Sequence, residues 1–240
     1  MRRLLPLVFL AALPAAAQPQ MAPLVIPPET RQLVVVVTPG WEATAGTLRR
    51  FEREGAAWAE VGEPIPAVVG RSGLGWGRGL HPEGLDGPPK REGDGRAPAG
   101  VFYLTEAFGY AEDAETGLPY RHATDDLECV DDPASAHYND VLDRTTVAPD
   151  WASHEEMRRR DDLYRLGVVV AHNRPAEPGA GSCIFLHVWA GPRSTTSGCT
   201  AMQGAAMDAL AAWLDADAAP VLVQLPEAEY VRWQAAWDLP

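Results

Sequence analysis

Two side chains twelve positions apart, His187 and Cys199, carry the chemistry this sequence can perform. His187 lies in the apolar run Cys183-Ile184-Phe185-Leu186-His187-Val188-Trp189, which reads as a buried strand. Cys199 closes Ser197-Gly198-Cys199, beyond the turn-rich segment Ala190–Thr196. A helix is expected from near Thr200 to Asp215, with Met202, Ala206, Leu210, Trp213 and Leu214 at helical intervals. A thiol becomes a nucleophile as its thiolate, which a helix N-terminus and a neighbouring histidine both favour. Gly198 lets the backbone approach closely, and the Gly198 and Cys199 amides are candidate oxyanion donors. The residues alone therefore imply a Cys–His acyl-transfer pair. The bland reading, two core residues with cysteine acting as a small hydrophobe, is the competitor.

His187 followed by Thr196-Ser197-Gly198-Cys199 resembles the active-site motif of the L,D-transpeptidases, the YkuD-type catalytic domain. A second stretch, Lys90–Leu104 (KREGDGRAPAGVFYL), resembles that family's Lys, Gly-Asp, Arg-x-Pro-x-Gly-x-Phe region. The resemblance spans roughly residues 30 to 226. It implies a mainly β fold with a few helices, a mixed sandwich or barrel with a helix following the catalytic cysteine. It also implies a substrate: the stem peptides of peptidoglycan, attacked by Cys199 with His187 as base, with release of D-alanine through a thioester. Water as acceptor would make the same pair a carboxypeptidase or amidase, and a degenerate site would leave a wall-binding protein. The family often orients its histidine with a backbone carbonyl; Ser197, Thr196 and His172 are the side-chain alternatives. Ser197 replaces a common histidine, and Ala201 stands where common members carry arginine, so Arg193 is the candidate substitute for a substrate-carboxylate contact. His172, ending the strand-like run Leu166–His172, is a candidate to face the same pocket. No cofactor and no metal are implied; Asp131, Asp132 and His137 match no metal spacing.

These residues need a scaffold. Gln32–Thr38, with four consecutive valines, reads as a buried strand stopped by Pro39-Gly40. Thr47–Phe51 with Ala57–Val61 reads as a short hairpin, and Pro64–Val69 as a further strand. Arg71–Gly79 reads as a glycine-rich surface loop in which Trp76 covers the core. Residues 111–150 form a long, polar, acidic insertion, with Tyr138 and Asn139 as groove-wall candidates. Glu155–Tyr164 is expected as a short helix with Glu-to-Arg pairs. Val221–Leu225 is a last strand, and residues 227–240 a C-terminal helix with Trp233 and Trp237 on one side.

The 240 residues suffice for one core, and the 22 glycines and 22 prolines favour a β-rich, loop-rich domain. A net charge of −13 argues against nucleic acid and against anionic membrane surfaces. The start, MRRLLPLVFLAALPAAA, has the two arginines, apolar stretch and small-residue end of a signal peptide over 1–17. Residues 18–30 then read as an extended arm, and the mature chain as periplasmic with no membrane insertion. With Cys199 reserved as nucleophile, Cys129 and Cys183 remain as the available disulfide pair, the alternative being two buried thiols. Oligomeric state leaves no trace in the sequence.

Overall fold

The computed structural model describes residues 25–240. The expected leader and residues 18–24 of the expected arm lie outside them. Val25 and Ile26 are buried against the core.

The chain runs through β1 (Gln32–Thr38), β2 (Ala45–Glu54), β3 (Ala57–Val68), β4 (Leu74–Trp76) and β5 (Ala97–Gly109). There follow β6 (Tyr120–His122), β7 (Leu127–Val130), β8 (Val141–Asp143), β9 (His154–Glu156), β10 (Leu166–Val170), β11 (Phe185–Val188) and β12 (Thr200–Met202). Helix α1 (Gly204–Trp213), strand β13 (Val221–Pro226) and helix α2 (Glu227–Trp233) complete it.

The valines of β1 are buried on both faces, which explains a run without alternation. Residues of α2 contact β1 and β13. β1 lies parallel to β13 and antiparallel to β2. β2 turns at Gly55, whose φ of +63° suits a two-residue hairpin loop, and β3 returns along its whole length. The pair is one long hairpin; the expected separate strands are parts of β3. Hydrogen-bonded neighbours run from β5 through β10, β11, β12, β3, β2, β1 and β13 back to β5, closing a barrel. Closure removes the exposed edges an open sheet would leave. The mainly β fold expected from the sequence is therefore the observed one. Phe102, Leu33, Leu48, Met202 and Leu210 are fully buried within it, each contributing roughly 1.5–3 kcal/mol by leaving water.

Residues 111–150 are largely structured. They supply β6, beside β5, and the strands β7 and β8, which with β9 make a second sheet ordered β8-β7-β9. A disulfide joins Cys129 of β7 to Cys183, just ahead of β11, with Cα atoms 5.9 Å apart. It fastens the small sheet to the barrel.

Four local expectations are corrected. Glu155–Tyr164 is not a helix: β9 pairs with β7, and its arginines reach across the fold, Arg158 to the Tyr110 and Ala123 carbonyls. Those long-range partners outweigh the weak helical pairs. The helix expected from Thr200 begins only at Gly204, because Thr200–Met202 is claimed by ladders on both sides, β11 and β3. Arg71–Gly79 is no open loop, since Leu74–Trp76 pairs with β5 and is buried; Trp76 does cover the core. At the other end, the chain leaves helical form after Trp233, and Trp237 stacks on it at 5.0 Å. No helix among the described residues is long and apolar enough to cross a membrane.

Candidate active site

The parallel register of β11 and β12 sets His187 opposite Ala201. Cys199 stands two residues before Ala201 and so shares its face. Diagonal neighbours on one sheet face have Cα atoms about 7–8 Å apart, within reach of long side chains. Both residues line one cleft of about 530 Å³ between the barrel and the small sheet. Among the described hydrogen bonds none joins them directly. Instead the Phe185 amide donates to Cys199 Sγ at 3.3 Å, and the Cys183 carbonyl lies 3.5 Å from it. Cys199 is the free cysteine; the other two are bridged.

The ionisation of the pair follows from burial. Cys199 and His187 are each 6% exposed. Burial pushes the Cys199 thiol up to about 12, reinforced by the Glu155 carboxylate, while the Phe185 amide, the Tyr164 hydroxyl and Lys90 oppose the rise. Burial also lowers His187 to about 4, so its imidazole is neutral near pH 7. Both groups rest neutral in one cleft, a thiol and an imidazole, so a nucleophilic sulfur there would first have to lose its proton. The expected help from a helix N-terminus is absent, because strand β12 separates Cys199 from α1.

Thr196 builds the turn that presents the sulfur. Its hydroxyl donates to the Cys199 carbonyl at 2.6 Å and accepts the Gly198 amide at 3.2 Å. A Cβ at Gly198 would sit 3.2 Å from the Arg96 carbonyl and 3.4 Å from Ile184, which is why the smallest residue occupies this approach. Ser197 is exposed at the rim and accepts from Arg71 Nη1 at 3.2 Å.

Two candidates stand apart from the cleft. Arg193 is exposed in its loop and is not among the lining residues. His172 is buried behind the Cys183–Ile184 segment, lining a separate cavity of about 460 Å³. Its Nδ1 accepts the Arg78 amide at 3.2 Å, and its Nε2 donates to the Ala180 carbonyl at 3.1 Å. Asn139 lines that second cavity and ties the insertion down, accepting the Cys183 amide at 2.9 Å and donating to the His172 and Asn173 carbonyls. Tyr138 donates to Glu92 at 2.6 Å.

The cleft also gathers Arg71, Glu155, Arg159 and Tyr164, which no local motif announced, together with Lys90 and Glu92 of the second signature stretch. Lys90 had one signal, the signature stretch, where Asp94 holds its Nζ at 2.9 Å. Glu155 and Tyr164 had none, since they were read as the two ends of a short helix. Among the described residues no group of three or more His, Cys, Asp or Glu could hold a metal ion.

No curated protein is significantly similar to the chain. A solved structure, that of Bdellovibrio bacteriovorus Bd1075, aligns at 13% identity over 87% of this chain and 55% of its own, with a TM-score of 0.43. The chain thus spans about half the length of that protein. The family model of the L,D-transpeptidase catalytic domain (YkuD) matches residues 48–223, which include both signature stretches, the cleft strands and the Ser-Gly-Cys turn. Most of the chain is covered by that match, and it belongs to the L,D-transpeptidase (YkuD) family.

Proposed function

We propose that this chain is a cysteine acyltransferase of the cell wall, acting on peptidoglycan stem peptides. Cys199 attacks the carbonyl that links the penultimate residue to a terminal D-alanine, and His187 accepts the thiol proton. The bond to D-alanine breaks, leaving a thioester. An amine of a second stem then attacks it and closes a cross-link. The oxyanion takes the Cys199 amide and the Gly198 amide, the latter released from Thr196; losing one such donor costs ~3 kcal/mol of barrier. Cys129 and Cys183, bridged as in an oxidising compartment, and the leader-like start support export to the periplasm. The observation that carries the reading is the placement, in one cleft, of a neutral imidazole on β11 and an unbridged sulfur immediately ahead of the neighbouring strand β12.

Water could replace the amine and make the enzyme a carboxypeptidase. The test is incubation with purified muropeptides, followed by product masses, for the wild type and C199A. Dimers that the wild type forms and C199A does not are the expected result. Shortened stems without dimers would assign hydrolysis instead, and unchanged masses would remove the enzymatic reading.

A further inference from the structure

Three consecutive residues ahead of β11 are each held by a side chain from elsewhere in the chain. The Gly181 amide donates to the Tyr138 hydroxyl at 3.1 Å, the Ser182 hydroxyl to Glu92 at 2.6 Å, and the Cys183 amide to Asn139 Oδ1 at 2.9 Å. Asn139 is itself anchored, since its backbone amide donates to the Val130 carbonyl at 2.8 Å. Cys183 is gripped a second time by its bridge to Cys129 of β7. Its φ is +55°, the left-handed region that glycine enters freely and a residue with a side chain enters at a cost. The bridge and the Asn139 hydrogen bond meet on that residue and hold it there.

That conformation decides what meets the nucleophile. The Cys199 thiol donates to the Cys183 carbonyl at 3.5 Å, and the Phe185 amide donates to Cys199 Sγ at 3.3 Å. One short segment thus holds the sulfur through its proton and through a lone pair. The far end of the segment belongs to the barrel: the Ile184 carbonyl accepts the Val170 amide at 2.9 Å, and Phe185 pairs with Val169. The near end belongs to the insertion, through Tyr138, Asn139 and Cys129. Cys129, Cys183, Phe185 and Cys199 lie in one buried cluster, so little room is left for the segment to shift.

We propose that Asn139 and Cys129 are positioning residues for the nucleophile. Acting on Cys183, they aim its carbonyl at the resting S–H of Cys199 and keep the Phe185 amide on the sulfur. The long insertion is therefore part of the reaction machinery and more than a wall of the groove. When substrate arrives, the proton turns from the Cys183 carbonyl to the base, and the Phe185 amide faces the negative charge that grows on sulfur.

The role in catalysis rests on Cys199 being the nucleophile proposed above, but the cradle is read without peptidoglycan. With Cys129 and Cys183 bridged, Cys199 is the one thiol among the three cysteines, so the infrared S–H stretching band of the non-reduced protein reports on it alone. C199S, which removes the band, assigns it. A donating S–H absorbs at lower wavenumber than a thiol in a solvent that accepts no hydrogen bond. The wild-type band should lie on the low side of that reference. In N139A and in C129S/C183S it should move to higher wavenumber, with near-UV circular dichroism showing that each variant is folded. A purely structural role for the insertion would lower stability and leave the band of the folded protein where it was. A band that stays put in both folded variants therefore overturns the cradle, as does a wild-type band at the free-thiol position should neither variant fold. With muropeptides, N139A should lose about 10-fold or more in kcat with KM near wild type, the pattern of a misplaced reacting group. A band that moves while kcat holds overturns the catalytic role. A low wild-type band that moves in the variants, with no muropeptide product from the wild type, would instead count against the proposed substrate and leave the cradle standing.

Discussion

The ring of His187 is held through Nδ1, 2.7 Å from the carbonyl oxygen of Val188, its neighbour in the chain. A carbonyl only accepts, so Nδ1 carries the proton and Nε2 is left as a base. The orienting group is thus a backbone carbonyl, and Ser197, Thr196 and His172 are engaged elsewhere. His187 shares its neutral state with two other buried histidines: burial lowers His81 to about 4 and His172 to about 3. In the unfolded chain all three protonate near pH 6.5. Between that pH and their folded values the unfolded state binds more protons. Stability from these groups is therefore present above pH 6.5 and is lost as pH falls toward 4. The slope approaches about 4 kcal/mol per pH unit where all three differ. Thermal unfolding from neutral to acidic pH should show this fall, and H172N should make it shallower.

The Cys129–Cys183 bridge closes a loop of 54 residues in sequence separation. Chain entropy puts its contribution at about 4 kcal/mol. Reduction, or C129S/C183S, should lower the denaturation midpoint by a corresponding amount. Amide exchange should rise most in β7, β8 and β9, the sheet the bridge fastens. Uniform loss of protection across the barrel would contradict this picture.

Asp94 organises the second signature. It accepts Lys90 Nζ at 2.9 Å, the Arg91 amide at 2.6 Å and the Arg96 amide at 2.8 Å. D94A would leave a buried ammonium without its counter-charge, held only by the Arg91 carbonyl, and two turn amides without their acceptor. The expected cost is about 3 kcal/mol or more, measured by urea unfolding. D94N should retain part of it.

Arg71 supplies a cation at the cleft, joined to Ser197, while Arg193 is exposed in its loop and does not line the cleft. For a substrate with a free carboxylate, R71A should raise KM by about 10-fold with little change in kcat, the pattern of lost uniform binding. R193A should leave both constants near wild type. The reverse pattern would restore the sequence-based choice of Arg193.

Much of this was legible in the chain because it was local. Four valines in β1 announced a doubly buried strand, and the apolar run around His187 announced β11. Side-chain type also marked the cysteine and histidine, since nothing else in the chain pairs a strand histidine with a Ser-Gly-Cys turn. Short pieces were read wrongly where local preference lost to pairing. Thr200–Met202 is three residues long, too short to display a period, and its strand state comes from neighbours on both sides. Glu155–Tyr164 carried helical charge spacing, yet its partners lie on β7 and in distant loops.

Amino-acid order by itself determined the family and the β-rich class, and it singled out Cys199 and His187 as the candidate pair. Each depends on residue identity within a few neighbours. Only the tertiary structure decided that Cys199 rests as a buried thiol without a helix dipole, that the Val188 carbonyl orients the imidazole, and that Glu155 and Tyr164 line the same cleft. Those are consequences of burial and of contacts between segments far apart in the chain, and desolvation and long-range pairing have no period or spacing to leave in a sequence.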